Sequence, residues 1–270
     1  MKYRLLALDM DGTTLNSEKK IPAEILEAIN GLLKRGIQVV LSTGRGLAEL
    51  SDYREDLKDM RYSILISGGM VYDFRKQAPV YVKPIPLEDA LRVIASGETE
   101  QAMVHLLTIR NSIVKRDDIA HMENFSMKIY QDMYERVCDC SDDLAGYAKE
   151  HAEEIVKINL YHRSVESMDR SFERLRGLDL TMVRAEKTGL EASPSGITKA
   201  RGLEILCGHL GIPLEQTVAV GDAPNDLEVL QTAGLSAAMG NAIDEVKQVC
   251  DVVVADNDHN GVLEVIQKFF

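Results

Sequence analysis

The feature that most restricts this chain lies near its start. From Tyr3 to Asp9 the residues are almost continuously apolar, without the alternation of a half-exposed strand. A short run of this kind suits a strand covered on both faces, as in parallel sheets flanked by helices. Pro22 then opens a helix that carries Ile25, Leu26, Ile29, Leu32 and Leu33 on one face, with Gly36 at its C-terminal cap position. Apolar strands are expected at Ile37–Thr43 and Ser63–Ser67, with a polar helical stretch between them. Strand, helix and strand joined by short links imply parallel strands and right-handed crossovers.

From about residue 83 the texture changes. Amphipathic strands such as Met103–Val114 and Ile155–Tyr161 mix with charged helical segments such as Ser167–Arg176. From Thr188 the first texture returns, with a helix over about Ile197–Leu210, a strand at Thr217–Gly221 and a helix at Asp226–Ala233. Strands are expected at Ser236–Met239 and Asp251–Val254. The expected fold class is α/β. A Rossmann-like parallel-sheet core, residues 1–82 and 187–270, is interrupted by an inserted α/β module over 83–186.

Composition narrows the function classes. With 45% apolar and 27% charged residues over 270 positions, the chain has ordinary globular usage and enough length for a sizeable core. Lys and Arg number 31 against 43 Asp and Glu, a net charge of −12, which argues against nucleic acid as the main partner. No apolar stretch reaches membrane-spanning length, and the N-terminal run is too short for a signal-peptide core. The four cysteines, Cys138, Cys140, Cys207 and Cys250, contain no C-x-x-C pair. They are expected to be small buried hydrophobes in a reducing compartment, so the expected setting is cytoplasmic with no membrane partner. The six histidines show no metal-ligand spacing.

Open parallel sheets place their ligands at the C-terminal ends of the strands. The first strand ends in Asp9-Met10-Asp11-Gly12-Thr13-Thr14 and the second in Ser42-Thr43-Gly44-Arg45. The strand after the insertion ends in Gly221-Asp222-Ala223-Pro224-Asn225-Asp226, and Lys199 stands in the first turn of the preceding helix. Each piece alone has an ordinary reading as a turn, a strand end, a helix cap or a surface lysine. Together they assemble acids, a hydroxyl and an ammonium group at the ends of one sheet, which suits phosphoryl transfer. One carboxylate can attack phosphorus, and a second can protonate the leaving oxygen and then activate water. Asp222 with Asp9 supplies hard oxygen ligands, for which Mg2+ is the expected cation. Thr43 and Lys199 offer a donor and a positive charge to the phosphoryl oxygens, and Gly12 lets backbone N–H groups approach.

On these motifs the chain resembles the haloacid dehalogenase-like hydrolase superfamily, in its Cof-type (subclass IIB) branch, over both core segments. The resemblance implies that Asp9 is the nucleophile and Asp11 the general acid/base, with the Asp11 backbone carbonyl on magnesium. It implies phosphate contacts from Thr43, within Thr43-Gly44-Arg45, and from Lys199, with Asn225 near the phosphate. Asp222 would bind the metal and Asp226 support its shell. Ala238-Met239-Gly240-Asn241-Ala242, Lys247 and Asn257-Asp258 resemble the family's C-terminal segment. The insertion would be a cap that helps to choose the substrate, with His105, Arg110, Lys115, Arg116, His121 and Lys128 as its polar candidates. Met122, Met127 and Met133 read as packing residues. Ser67-Gly68-Gly69 departs from the Asn-Gly-Ala common in the family. The implied activity is magnesium-dependent hydrolysis of a small phosphorylated metabolite, a sugar phosphate or phosphorylated cofactor. Phosphotransfer by a mutase and a non-catalytic ligand sensor are the alternatives.

Overall fold

The computed structural model describes residues 2–185 and 187–270. The chain begins with β1 (Leu5–Leu8), α1 (Ala23–Lys34), β2 (Gln38–Ser42), β3 (Tyr62–Leu65), β4 (Met70–Asp73) and β5 (Ala78–Val82). Next come α2 (Leu87–Thr99), β6 (Met103–Thr108), β7 (Ser112–Val114), α3 (Arg116–Ala120), α4 (Gln131–Val137), β8 (Cys138–Cys140) and α5 (Leu144–Glu150). They are followed by β9 (Ile155–Tyr161), α6 (Val165–Leu175), β10 (Leu180–Ala185) and β11 (Gly189–Pro194). The last part holds α7 (Lys199–Leu210), β12 (Thr217–Gly221), α8 (Leu227–Thr232), β13 (Leu235–Ala238), α9 (Asp244–Val249), β14 (Val252–Val253) and α10 (Gly261–Phe269).

The described chain divides into two compact units. The first comprises residues up to Gly44, Tyr53–Tyr81 and Thr198–Phe270. Its eight-stranded sheet has the order β14-β13-β12-β1-β2-β3-β4-β5. The pairings from β14 to β3 are parallel, and β4 turns back antiparallel on β3. All four residues of β1 are buried, as strands between two layers of helices require. Leu5, Ala7, Val40 and Ala219 from the sheet pack with Leu203 and Leu206 of α7.

The second unit comprises Arg45–Asp52 and Val82–Ile197. Its six-stranded sheet, β10-β11-β9-β6-β7-β8, is antiparallel except for β7 beside β8. One face, with Val104, Leu106, Ile158 and Leu160, packs on α2, α5 and α6.

Several local expectations change. The polar helical stretch after β2 takes the form of a 3-10 helix, Ala48–Tyr53. Met103–Val114 is not one strand but the hairpin β6–β7, reversed where the Thr108 hydroxyl accepts from the N–H groups of Arg110 and Asn111. The second unit extends beyond 83–186, because β11 hydrogen-bonds to β9 and β10 and so carries residues 189–194 into that sheet. Of the cysteines only Cys207 is buried. Cys140 is exposed on the edge strand β8, and all four are free thiols. No described helix is long and apolar enough to cross a membrane.

Candidate active site

The first unit brings the acidic strand ends together. Asp9 follows β1 directly and is still held by the sheet, its N–H donating to Val220 O at 3.0 Å. The Thr14 hydroxyl donates to Asp9 O at 2.5 Å, and Thr14 and Leu15 both donate N–H bonds to Met10 O. The chain thus reverses within one turn after the first carboxylate. Gly12 makes this reversal possible. Its φ is +80°, and a Cβ there would lie 2.3 Å from Asp222 Oδ2.

Asp222 follows β12 and is oriented by the loop after β1, because the Thr13 hydroxyl donates to its Oδ1 at 3.0 Å. Asn241 Nδ2 donates to Gly12 O at 2.8 Å and approaches Asp222 Oδ2 at 3.4 Å. Asp226 closes the short 3-10 turn Pro224–Asp226. Its Oδ2 accepts from the N–H groups of Asp222 and Ala223, both at 3.1 Å, while its Oδ1 takes Lys199.

Lys199 opens α7, which Thr198 caps by accepting from the Arg201 N–H. Gly68 permits this placement. Its φ is +97°, and a Cβ there would lie 2.0 Å from Thr198 O. Lys199 is only 1% exposed, and its Nζ stands 2.6 Å from both Asp9 Oδ1 and Asp226 Oδ1.

Three carboxylates, Asp9, Asp222 and Asp226, offer oxygens within 4.8 Å of one another. With all three ionised, Lys199 would balance one of the three charges and leave two uncompensated. Burial, opposed by Lys199 and reinforced by Asp226 and Asp222, pushes the Asp9 carboxyl up to about 8. Burial, opposed by the Thr13 hydrogen bond, pushes Asp222 up to about 6. Burial works against the Lys199 ammonium, but Asp9 and Asp226 outweigh it and hold the group above its ordinary value. A divalent cation with a preference for hard oxygen donors fits this surplus of carboxylate charge.

The other expected residues are placed differently. Asp11 is not among the three clustered carboxylates. Its side chain is 41% exposed, and Lys19 Nζ lies 3.0 Å from its Oδ1. Lys19 adopts a left-handed φ of 59°, and its carbonyl accepts from the Tyr53 hydroxyl at 2.9 Å. Thr43 is buried directly after β2. Its N–H donates to Ile64 O, and its carbonyl accepts from the Ser67 N–H. Gly44 is the last residue of that segment, whereas Arg45 belongs to the second unit, where it lies against Glu49 and Met133. Asn225 is exposed on the turn before Asp226.

Sequence reasoning missed Thr13, Thr14 and Lys19 as supports of the site. It also missed the Ser17 hydroxyl and N–H, both of which donate to Asp258 and tie the loop after β1 to the C-terminal segment. Among the insertion's polar candidates, Arg110, Arg116, His121 and Lys128 are exposed, and Lys115 pairs with Glu98. His105 alone is fully buried. Met122 and Met127 pack with Phe125 and Tyr134, as expected of packing residues.

Comparison with known proteins gives an independent view. Residues 6–266 match the family model described as haloacid dehalogenase-like hydrolase. The chain is 28% identical over 275 residues to the 5-amino-6-(5-phospho-D-ribitylamino)uracil phosphatase YitU of Bacillus subtilis, covering 100% of this chain and 98% of that one. It is 26% identical over 289 residues to the phosphatase YwpJ of the same organism, covering 98% and 99%. A haloacid dehalogenase-like hydrolase from Bacteroides thetaiotaomicron superposes with a TM-score of 0.86 at 25% identity, over the full length of both chains.

Proposed function

The chain belongs to the haloacid dehalogenase-like hydrolase family and is a phosphatase, and from that premise we propose that it hydrolyses small phosphorylated metabolites through a phosphoryl group carried on Asp9. The substrates are sugar phosphates or phosphorylated cofactors in the cytoplasm. The observation that supports this reading best is the buried Lys199, held 2.6 Å from Asp9 and centred among carboxylates.

In this reading Asp9 attacks phosphorus as the bond to the leaving oxygen breaks, and Asp11 gives that oxygen a proton. Asp11 then takes a proton from water, which attacks the phosphorus of the Asp9 acyl phosphate. Inorganic phosphate leaves and the Asp9 carboxylate is restored. Thr43, Lys199 and the N–H groups of the Gly12 loop hold the phosphoryl oxygens, with Gly44, Arg45 and Asn225 contributing to phosphate binding. Asp9, Asp222, the Asp11 carbonyl and Asp226 would hold magnesium, which when bound offsets the negative charge of both nucleophile and phosphate. The second unit acts as the cap that selects the substrate. The name of one relative carries a phosphorylated ribityl compound, which supports this substrate class.

The test is phosphate release from a panel of sugar phosphates, pyridoxal phosphate, flavin mononucleotide and p-nitrophenyl phosphate, with magnesium or with chelator. Release that needs magnesium and is lost in Asp9→Asn is expected. Undiminished release from that variant would refute the covalent route.

A further inference from the structure

Asn241, Asn257 and Asp258 take no part in the chemistry proposed above, yet their side chains all bond to one stretch of chain. That stretch is the loop after β1, which carries Asp11 and lies with them in the first unit. Asn241 Nδ2 donates to Gly12 O at 2.8 Å, and Asn257 Nδ2 donates to Leu15 O at 2.9 Å. The Asp258 carboxylate accepts from the Ser17 N–H at 2.8 Å and from the Ser17 hydroxyl at 2.5 Å. Residues 12, 15 and 17 are therefore tied down in order, as along a seam, by side chains that come 229 to 242 residues later.

Both sides of the seam are braced. Gly240 donates its N–H to Ala255 O, and Val254 donates to Ala238 O, so the chain around Asn241 and the chain before Asn257 continue the pairing of β13 with β14. The Asn257 N–H donates to Asn241 Oδ1 at 3.2 Å, which makes one rung the support of the next. Groups mounted on a sheet in this way hold their partners more closely than groups on a loose tail. On the loop side, Asn16 Oδ1 accepts from the N–H groups of Glu18 and Lys20, at 3.1 and 2.9 Å, and so fixes the turn that contains Ser17. From that turn Lys19 Nζ reaches back to Asp11 Oδ1 at 3.0 Å. Asp11 is held from two directions: Asn241 fixes its neighbour Gly12, and Asp258 fixes the turn that carries its ion-pair partner.

A proton donor acts only from the right place, and displacement by about 1 Å costs on the order of 100-fold in rate. We propose that Asn257 and Asp258 are positioning residues for Asp11, which keep its carboxyl group within reach of the leaving oxygen without touching the substrate themselves. This role rests on the phosphatase reading above. There the bond from Asp9 to phosphorus forms as the bond to the leaving oxygen breaks, and the Asp11 proton passes to that oxygen, leaving Asp11 a carboxylate. A loosened seam leaves the attack of Asp9 intact and slows the proton, so its effect grows with the basicity of the leaving oxygen. Asn241 also approaches Asp222 Oδ2 at 3.4 Å, so the seam is tested at Asn257 and Asp258, away from the carboxylate cluster.

The test compares phenyl phosphate with p-nitrophenyl phosphate, two substrates of similar shape, of which the first has the more basic leaving oxygen. kcat/KM is read because it excludes hydrolysis of the Asp9 acyl phosphate, a step common to both. Asp258→Ala and Asn257→Ala are expected to lower kcat/KM about 10-fold or more on phenyl phosphate and less than about 3-fold on p-nitrophenyl phosphate. Asp258→Asn keeps an oxygen that accepts the Ser17 N–H and should recover most of the loss. Should Asp258→Ala not fold, Ser17→Ala, at an exposed position, is expected to show the same selectivity with a loss of about 3-fold on phenyl phosphate. An equal loss on both substrates would overturn the proposal and leave the seam a structural support, and no loss on either would overturn it too. A wild type that hydrolyses p-nitrophenyl phosphate but not phenyl phosphate would do the same, because no proton would be reaching the leaving oxygen. Absence of hydrolysis of both would instead refute the phosphatase reading, and the proposal with it.

Discussion

Asp226 holds Lys199 by one carboxylate oxygen, at 2.6 Å, while its other oxygen accepts from the N–H groups of Asp222 and Ala223. One side chain therefore fixes both the ammonium group and the turn that presents Asp222. Asp226 acts as a bracket between the two.

Asp226→Asn removes the charge and keeps the shape. The buried Lys199 then has Asp9 as its one anionic partner. Breaking a buried pair costs about 3–5 kcal/mol, and the remaining partner reduces that here to about 2 kcal/mol. A lowered Tm and a fall in kcat/KM of about 100-fold are expected. A variant with wild-type Tm and rate would show that the bracket is dispensable.

The raised carboxyls make stability depend on pH in a definite direction. Asp9, at about 8, and Asp222, at about 6, bind protons more tightly in the folded protein than in the unfolded chain, where they titrate near 4. Between pH 4 and 8 the native state therefore carries the extra protons, and the metal-free protein should lose stability as pH rises. Magnesium needs both groups ionised, so its binding should strengthen with pH and remove most of that slope. Thermal melts at pH 5 to 8, in chelator and in magnesium, read both effects. A chelated protein that grows more stable towards pH 8 would contradict the assignment.

Gly12→Ala places a methyl group on a residue with φ +80°, 2.3 Å from Asp222 Oδ2. The left-handed conformation costs about 1–2 kcal/mol for an L residue, and the clash displaces the carboxylate. Activity should fall by more than about 100-fold while far-ultraviolet circular dichroism stays native. Retained activity would mean that the loop adapts.

Ser67 has φ 54° and follows Ile66 at φ 52°, so two successive side-chain-bearing residues occupy the left-handed region. Asn tolerates that region better than Ser. Ser67→Asn should raise stability by about 0.5 kcal/mol, seen as a higher urea midpoint with an unchanged slope. A lower midpoint would show that the serine makes compensating contacts.

What could be read from the sequence follows the physics of strand ends. Asp9, Thr43 and Asp222 stand at the carboxyl edge of a parallel sheet, so the order of apolar runs was enough to find them. Lys199 could be located but its burial could not, because an ammonium group is enclosed only when partners from two distant segments surround it. The roles of Thr13 and Asn241 depend on which oxygens lie within hydrogen-bond reach, and spacing along a chain does not encode that. Lys157 and Asn159 escaped notice because an amphipathic strand assigns polar residues to solvent by default. Here α4 lies over that face, and the polarity is internal. The β6–β7 reversal was missed because Arg110-Asn111 carries no glycine or proline to mark it.

β1 lies between β12 and β2, so one neighbour of the central strand is made about 200 residues after it. At ribosomal speeds of about 5–20 residues per second, that neighbour arrives on the order of 10–40 s later. Throughout synthesis of the middle of the chain, Leu5–Leu8 has an unpaired edge and the strand that leads to Asp9 is open to wrong partners. A nascent chain of this design is most exposed to aggregation before its C-terminal third emerges, so the yield of folded enzyme depends on when translation ends as much as on final stability.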